Sequence, residues 1–226
     1  MKLFAGGKSG ARRVGGVLGA LALAGALRAD ETWRLDRVEK IGGHEVTVVG
    51  APQVVAEPAA DGAREIRFDG AHDGLFVSAI PIAGRKAFTI EVLIAPAVDG
   101  QEEQRFLHLE DAAGRRVLME LRLKDAQWSL DTFLFSDPNR LTLLDRTKLH
   151  AAGKWYWVAL RYDGKTMTSF IDGAKELEGP VDFAPLADGR ASIGVRQNKV
   201  SWFKGAIREV RFHDEALPAE KLQRTK

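Results

Sequence analysis

Residues 155–173 read WYWVALRYDGKTMTSFIDG, and this stretch carries the strongest structural signal in the chain. Its first half alternates two sets of side chains at every second position, which is the period of a strand with one buried face. Asp-Gly pairs follow at 163–164 and 172–173, and glycine supplies the positive φ that a tight turn requires. The pattern predicts a β-hairpin.

The same alternation and the same turn signals run through the rest of the chain. Residues 87–95 (AFTIEVLIA) form the clearest central strand. About a dozen short strands are expected, with turn signals every eight to twelve residues and no long amphipathic helix. Ile207 and Val210 are three apart in the last strand, so burying both requires a β-bulge. A short helix is expected over residues 216–223. The sequence therefore predicts an all-β antiparallel sandwich.

The N-terminal segment is typical of an export signal. Four basic residues and no acidic residue precede an apolar run over residues 14–27, which is short for a membrane span. We predict residues 1–29 as a signal peptide, cleaved after Ala29 or Ala26, and residues 30–226 as a single domain. The predicted location is secreted or periplasmic, with no membrane association after cleavage. An uncleaved membrane anchor is the alternative.

Charge and cysteine content narrow the classes of partner. The chain has a formal net charge of +2, and residues 1–29 contribute five basic side chains and no acid. Subtracting those five charges leaves −3 for the remainder, so a nucleic-acid partner has no electrostatic basis. The chain has no cysteine, which excludes disulfides and thiolate zinc sites.

Two passages share the motif order of a known family. Residues 154–173 contain W-Y-W-V-A, Y-D-G and I-D-G, and residues 203–217 contain F-K-G-A-I-R-E-V-R-F before a final A-L. Residues 68–70 (FDG) and 87–91 (AFTIE) extend the pattern. Together they resemble the laminin-G-like domains of the concanavalin A-like lectin/glucanase superfamily, although Trp157 stands where that family usually has a histidine. The resemblance implies a jelly-roll sandwich of two curved antiparallel sheets, in a family of lectins, adhesion modules and glycanases.

A glycanase of this fold needs two carboxylates at a working separation. The resemblance implies a Glu–Asp–Glu array on alternate positions of one strand, and the nearest segment is ELRLKD at residues 120–125. Arg122 occupies a position where that array would have a carboxylate. Glu120 would have to pair with Asp131 from the neighbouring strand. No catalytic residue is therefore assigned, and hydrolysis by Glu120 and Asp131 is an alternative function.

Polar residues that alternate with apolar ones predict a recognition surface on one sheet face. Leu121 and Leu123 are expected to point into the core, which places Glu120 and Arg122 outside. If the strands are neighbours, one polar patch collects His108, Glu120, Arg122, Asp131 and Arg196, with Trp157 or Trp202 as an aromatic platform. Sugars bind to such mixtures of polar partners and aromatic faces. The competing interpretation is a solvated sheet face with cross-strand ion pairs.

Calcium is the one cofactor that the resemblance brings into consideration. Laminin-G-like domains sometimes hold this ion at a loop rim through carboxylates and backbone carbonyls. Asp69 and Asp73 are the loop acids that would supply the ligands here. The competing interpretation is that an aspartate before glycine is simply a turn residue.

The function predicted from these features is non-catalytic recognition of a glycan or a cell-surface partner by a secreted protein. The alternatives are a glycoside hydrolase of the same fold and a structural module that binds another protein through a sheet face. A polar groove with an aromatic side chain favours glycan binding, whereas a flat apolar patch favours a protein partner.

Overall fold

The computed structural model describes residues 31–56 and 63–225. The predicted signal peptide lies outside these residues. The described residues are almost entirely in strands and loops. No helix within the described ranges is long and apolar enough to cross a membrane. The strands are β1 (Glu31–Arg34), β2 (Lys40–Ile41), β3 (His44–Val49), β4 (Gln53–Ala56), β5 (Arg64–Asp69), β6 (Gly74–Val77), β7 (Phe88–Pro96), β8 (Glu103–Asp111), β9 (Arg116–Lys124), β10 (Gln127–Ser136), β11 (Asn139–Leu144), β12 (His150–Ala151), β13 (Tyr156–Tyr162), β14 (Thr166–Ile171), β15 (Ala174–Pro180), β16 (Gly189–Ile193) and β17 (Lys204–His213).

These strands form two antiparallel sheets, which confirms the predicted all-β jelly-roll sandwich. The first sheet has the order β15-β14-β13-β7-β17-β5-β4, with β1 paired to β17. The second sheet has the order β11-β10-β9-β8-β16-β6-β3-β2, with β12 paired to β10. Neighbours that are distant in sequence, such as β7 beside β17, show that the chain crosses repeatedly between the sheets.

The predicted hairpin is strands β13 and β14 of the first sheet. Val158, Leu160 and Tyr162 are buried in the core, as the alternation requires. Asp172 and Gly173 both have positive φ (47° and 70°), which is the geometry of a tight turn between antiparallel strands. All residues of β13 pair with β7, which joins the hairpin to the rest of the sheet.

One apolar core fills the space between the two sheets. Phe203, in the loop before β17, joins them because its ring contacts Phe68 of the first sheet and Phe106 of the second, each at a centroid distance of 6.2 Å. Trp33 and Trp128 are completely buried in the same core. The expected β-bulge in the last strand is present, since the pairing of β17 with β7 shifts register between Ile207 and Glu209.

The C-terminal segment crosses the outer face of the first sheet. Instead of the expected longer helix it has a single 3-10 turn at Ala219–Lys221, after Pro218. Its Leu217 and Leu222 pack on Ala159 and Phe170, which point away from the central core. Polar contacts fix the same segment, because buried Glu91 accepts the backbone N–H of Gln223 at 2.7 Å and Asp172 accepts that of Thr225 at 3.0 Å.

Candidate functional site

A polar recess of about 220 Å³ lies on the outer face of the second sheet. Strands β8, β9, β10 and β11 are consecutive neighbours there, and every second residue of β9 and β10 points away from the core. Leu121 and Leu130 are buried in the core, so Glu120 and Asp131 face outward, directly opposite each other in the register. The recess is lined by Arg105, Arg116, Leu118, Glu120, Arg122, Asp131, Phe133, Thr142 and Arg196.

A network of ion pairs occupies the floor of this recess. The Arg122 guanidinium contacts both carboxylates through Nη2, at 2.5 Å from Asp131 Oδ2 and 3.3 Å from Glu120 Oε2. Arg105 Nε lies 3.0 Å from the other oxygen of Glu120, and Arg105 also pairs with Glu103 at the rim. Neighbouring side chains therefore neutralise both carboxylates.

The two carboxylates are nearly inaccessible to solvent. Glu120 is 3% exposed and Asp131 is 2% exposed. Burial raises the pKa of both groups above their ordinary values, although Arg105 and Arg122 oppose this for Glu120, and Arg122 and Arg105 oppose it for Asp131. Asp131 Oδ1 is buried without a hydrogen-bond partner among the described residues. This oxygen is an acceptor at the recess that the ion pairs leave unused.

Aromatic and cationic side chains form one side of the recess. The Phe133 and Phe135 rings of β10 are stacked, 6.4 Å apart with an interplanar angle of 10°. The Arg116 guanidinium lies over them, 5.7 Å from the Phe133 centroid and 4.4 Å from that of Phe135. Since Phe133 itself lines the recess, it supplies an apolar ring face beside the charged groups.

Arg196 enters the recess from the loop that follows β16. A tight turn fixes the loop, because the Arg196 N–H donates to the Val200 carbonyl at 3.2 Å and its carbonyl accepts the Lys199 N–H at 2.8 Å. Lys199 and Ser201 both adopt positive φ. Sequence alternation with Val195 predicts the outward direction of Arg196, and the structure places it where predicted.

His108 lies on the same face but beneath the surface. It is 1% exposed, and its Nδ1 accepts the backbone N–H of Gln197 at 3.1 Å, which leaves the other ring nitrogen to carry the proton. That Nε2 is 3.0 Å from Glu110 Oε2. Burial, together with the charges of Arg196 and Arg116, lowers the pKa of His108 to about 3. His108 is therefore neutral and supports the Arg196–Gln197 segment rather than lining the recess.

Neither tryptophan considered as a platform belongs to this recess. Trp157 is in β13 of the first sheet, 8% exposed, with the Arg211 guanidinium 4.9 Å from its ring. Because Val158 points into the core, Trp157 faces the opposite side of the sandwich, and its pairing with the polar patch was a wrong expectation. Trp202 is half-buried before β17 and does not line the recess.

Asp69 and Asp73 form a hydrogen-bonded turn. Asp69 accepts the backbone N–H groups of Ala71, His72 and Asp73, and Asp73 accepts those of Ala51 and Asp69. Burial opposes the effect, but these hydrogen bonds hold the pKa of Asp69 well below its ordinary value. Among the described residues no group of three or more metal-ligating side chains is found. The geometry matches the turn interpretation, and calcium binding stays a prediction.

Several lining residues escape sequence reasoning. Phe133 shares the outward alternation of Asp131, so the same rule applied two residues further along would have found it. Arg116 precedes Glu120 by four residues in β9, so the same alternation would have found it as well. Arg105 does not, because β8 shifts register between Arg105 and Leu107, so that Arg105 and His108 share a face despite a spacing of three.

Solved structures with the same fold include a domain of an arabinanase and the binding domains of two other proteins. Domain 4 of AbnA, a GH43 extracellular arabinanase from Geobacillus stearothermophilus, in complex with arabinotriose, superposes with a TM-score of 0.63 at 17% identity, over 84% of this chain and 94% of that one. The binding domain of Paraclostridial Mosquitocidal Protein 1 gives 0.62 at 16%, over 85% of this chain and 50% of the other. The botulinum neurotoxin serotype G binding domain gives 0.59 at 10%, over 84% and 48%.

The chain spans about half the length of the mosquitocidal protein and neurotoxin domains. At these identities the likeness concerns the fold alone. None of the curated proteins compared with the chain matches it. The sequence profile described as concanavalin A-like lectin/glucanases superfamily matches residues 69–223, which covers most of both sheets. The chain therefore belongs to the concanavalin A-like lectin/glucanases superfamily, in its laminin-G-like branch.

Proposed function

We propose that this protein is a secreted or periplasmic recognition module that binds a glycan through the recess on the second sheet. One observation carries the proposal: Glu120, Arg122, Asp131 and Arg196, chosen from alternation alone, line a single recess. In this proposal the carboxylates and guanidinium groups bind sugar hydroxyls, and Phe133 covers the apolar side of a sugar ring. Residues 1–29 act as the export signal, and residues 30–226 form one domain.

The ion pairs favour binding over hydrolysis. A glycosidase needs one carboxyl as a proton donor and another as a nucleophile or base. Here the same Arg122 nitrogen contacts Glu120 and Asp131, so neither carboxylate is held ready to exchange a proton with a substrate. Such fixed, charge-assisted groups are suited to orienting hydroxyls.

The fold relatives are consistent with this proposal. One of them is a domain of an extracellular arabinanase whose structure holds arabinotriose, and others are toxin binding domains. A glycan or a glycan-bearing surface protein is accordingly the partner we propose, with no nucleic acid and no membrane contact after removal of the signal.

A glycan array probed with the purified protein tests the proposal. We expect saturable binding to one glycan class, lost in Arg196→Ala and kept in Arg37→Ala, an exposed arginine outside the recess. The array is run with calcium and with chelator, since loss on chelation alone would move the site to Asp69 and Asp73. Absence of binding in both conditions would sink the glycan proposal and favour a protein partner.

Hydrolysis is the second candidate, because the register places Glu120 and Asp131 directly opposite each other. Any glycan that binds is incubated with the protein and its reducing ends are counted over time. Release that disappears in Glu120→Gln, while the variant still binds, would establish the hydrolase instead of the recognition module.

A further inference from the structure

The positive charges of the recess exceed the carboxylates available to neutralise them. Four guanidinium groups line it, against the carboxylates of Glu120 and Asp131. Arg105 and Arg122 are the two that these acids neutralise, with additional help from Glu103 at the rim. The remaining two guanidinium groups belong to Arg116 and Arg196.

Arg116 is held by aromatic rings and a carbonyl rather than by a carboxylate. Its guanidinium stacks on Phe133 and Phe135, and Nη1 donates to the Gly114 carbonyl at 3.3 Å. Its Nε is buried and has no hydrogen-bond partner within the described part of the chain. A side chain fixed in this way loses little further entropy when an anion binds to it.

Arg196 has a fixed backbone and an uncommitted side chain. Its main chain closes the turn with Val200 and Lys199. No ion pair or side-chain hydrogen bond joins its guanidinium to residues 31–56 or 63–225. Its charge nevertheless acts on neighbouring groups: after the Arg105 hydrogen bond and the other Arg charges, it helps to lower the pKa of Glu103, and after burial it helps to lower that of His108. Both effects indicate a positive potential at this end of the recess.

We infer that the ligand of the recess is an acidic saccharide, whose carboxylate or sulfate group binds Arg116 and Arg196. This inference rests on the proposed glycan recognition and adds the chemical class of the sugar. Guanidinium groups bind carboxylate and sulfate through paired N–H donors, and the two groups left without a carboxylate partner are the ones with donors to spare. The Phe133 ring, which lines the recess, lies beneath the sugar.

Matched glycan pairs that differ only in charge test this inference on the full purified protein. One pair is tri-galacturonate and its methyl ester, and the other is a κ-carrageenan tetrasaccharide and its desulfated form. Calorimetry gives Kd for each at low salt. We expect the acidic member of one pair to bind about tenfold to a hundredfold more tightly than its neutral partner, as charge-assisted hydrogen bonds do. The pair that shows the difference distinguishes a carboxylate ligand from a sulfate ligand.

Two variants and one control assign the effect to the recess. Arg196→Gln and Arg116→Gln each remove one of the unpaired guanidinium groups, and we expect each to abolish most of the acidic preference. Arg37→Gln removes the same charge from an exposed loop and is expected to leave the preference unchanged. Since no described residue forms an ion pair or side-chain hydrogen bond with the Arg196 guanidinium, its variant is expected to fold, and circular dichroism checks this.

The outcomes separate this inference from the function on which it rests. If the protein binds both members of each pair equally, or binds only neutral glycans on the array, the acidic class is overturned and glycan recognition still stands. An acidic preference that survives both variants would place the anion outside the recess and would also overturn the inference. Absence of binding to every glycan would overturn the proposed function and this inference together.

Discussion

Arg122 holds two buried carboxylates in place with a single nitrogen. In Arg122→Ala, Glu120 and Asp131 would lose that cation while remaining buried. Removing one partner of a buried ion pair costs about 3 to 5 kcal/mol. The cost here falls mainly on Asp131, because Glu120 keeps its contact with Arg105. We expect a loss of that size in the free energy of urea-induced unfolding. Arg146→Ala is the control, since its pair with Glu102 is solvent-exposed and is worth less than about 1 kcal/mol.

His108 predicts how stability changes with pH. Its folded-state pKa is about 3, whereas an unfolded histidine titrates near 6.5. The unfolded chain therefore binds the extra proton between these values, and stability falls as the pH is lowered through this window. We expect the wild-type advantage over His108→Gln to shrink by about 2 kcal/mol between pH 7 and pH 5, measured by urea unfolding. A constant difference across that window would contradict the neutral, buried histidine.

At the scale of the element, β17 contains a glycine that the close approach of its neighbouring strands requires. Gly205 pairs with Phe68 on one side and Pro96 on the other, at φ +146°. A Cβ there would collide with the Ala95 carbonyl oxygen. We expect Gly205→Ala to lower the free energy of unfolding by about 2 to 5 kcal/mol, from strain and overpacking.

The matched control for Gly205 is a glycine in open space. Gly114 also has positive φ (+76°), but a Cβ at that position meets nothing within 4 Å. We expect Gly114→Ala to cost only about 1 kcal/mol, the price of the backbone conformation alone. Equal losses in the two variants would show that the close approach of three strands at Gly205 adds nothing to the backbone cost.

Individual strands were predictable where their alternation was regular. The β13–β14 hairpin has an unbroken period of two and an Asp-Gly turn, so local residues carried all the information. In β17 the spacing of Ile207 and Val210 revealed a bulge. The register shift in β8 left no such trace, because Phe106 and Leu107 are both apolar and both buried, and the face of Arg105 could not be deduced.

At the scale of the molecule, one core links the two sheets and predicts cooperative unfolding. Trp33 of the first sheet packs on Phe212, with centroids 4.7 Å apart, and Trp128 of the second packs on Tyr156 of the first at 5.4 Å. In both Trp33→Phe and Trp128→Phe we expect the unfolding midpoint to decrease. Fluorescence and far-ultraviolet circular dichroism are expected to give the same midpoint within each variant. Separate transitions for the two probes would contradict a single domain.

Predicting which residues line the recess requires information from different distances along the sequence. Glu120 and Arg122 follow from alternation within one strand, and their meeting with Asp131 requires only that β9 and β10 form a hairpin. Trp157 was placed wrongly because alternation states that a side chain faces outward but not from which sheet. That distinction depends on crossovers between distant strands, such as β7 to β17, which no local pattern contains.

The C-terminal segment makes the two outer faces of the sandwich unlike. Leu217 and Leu222 cover part of the first sheet, and Thr225 is hydrogen-bonded to Asp172 on that side. The recess lies on the opposite surface, on the second sheet. A molecule tethered to a solid support or fused to another protein through residue 225 would consequently present its recess outward, away from the attachment point. Immobilisation through the C-terminal segment thus sets the orientation of the protein on a biosensor chip.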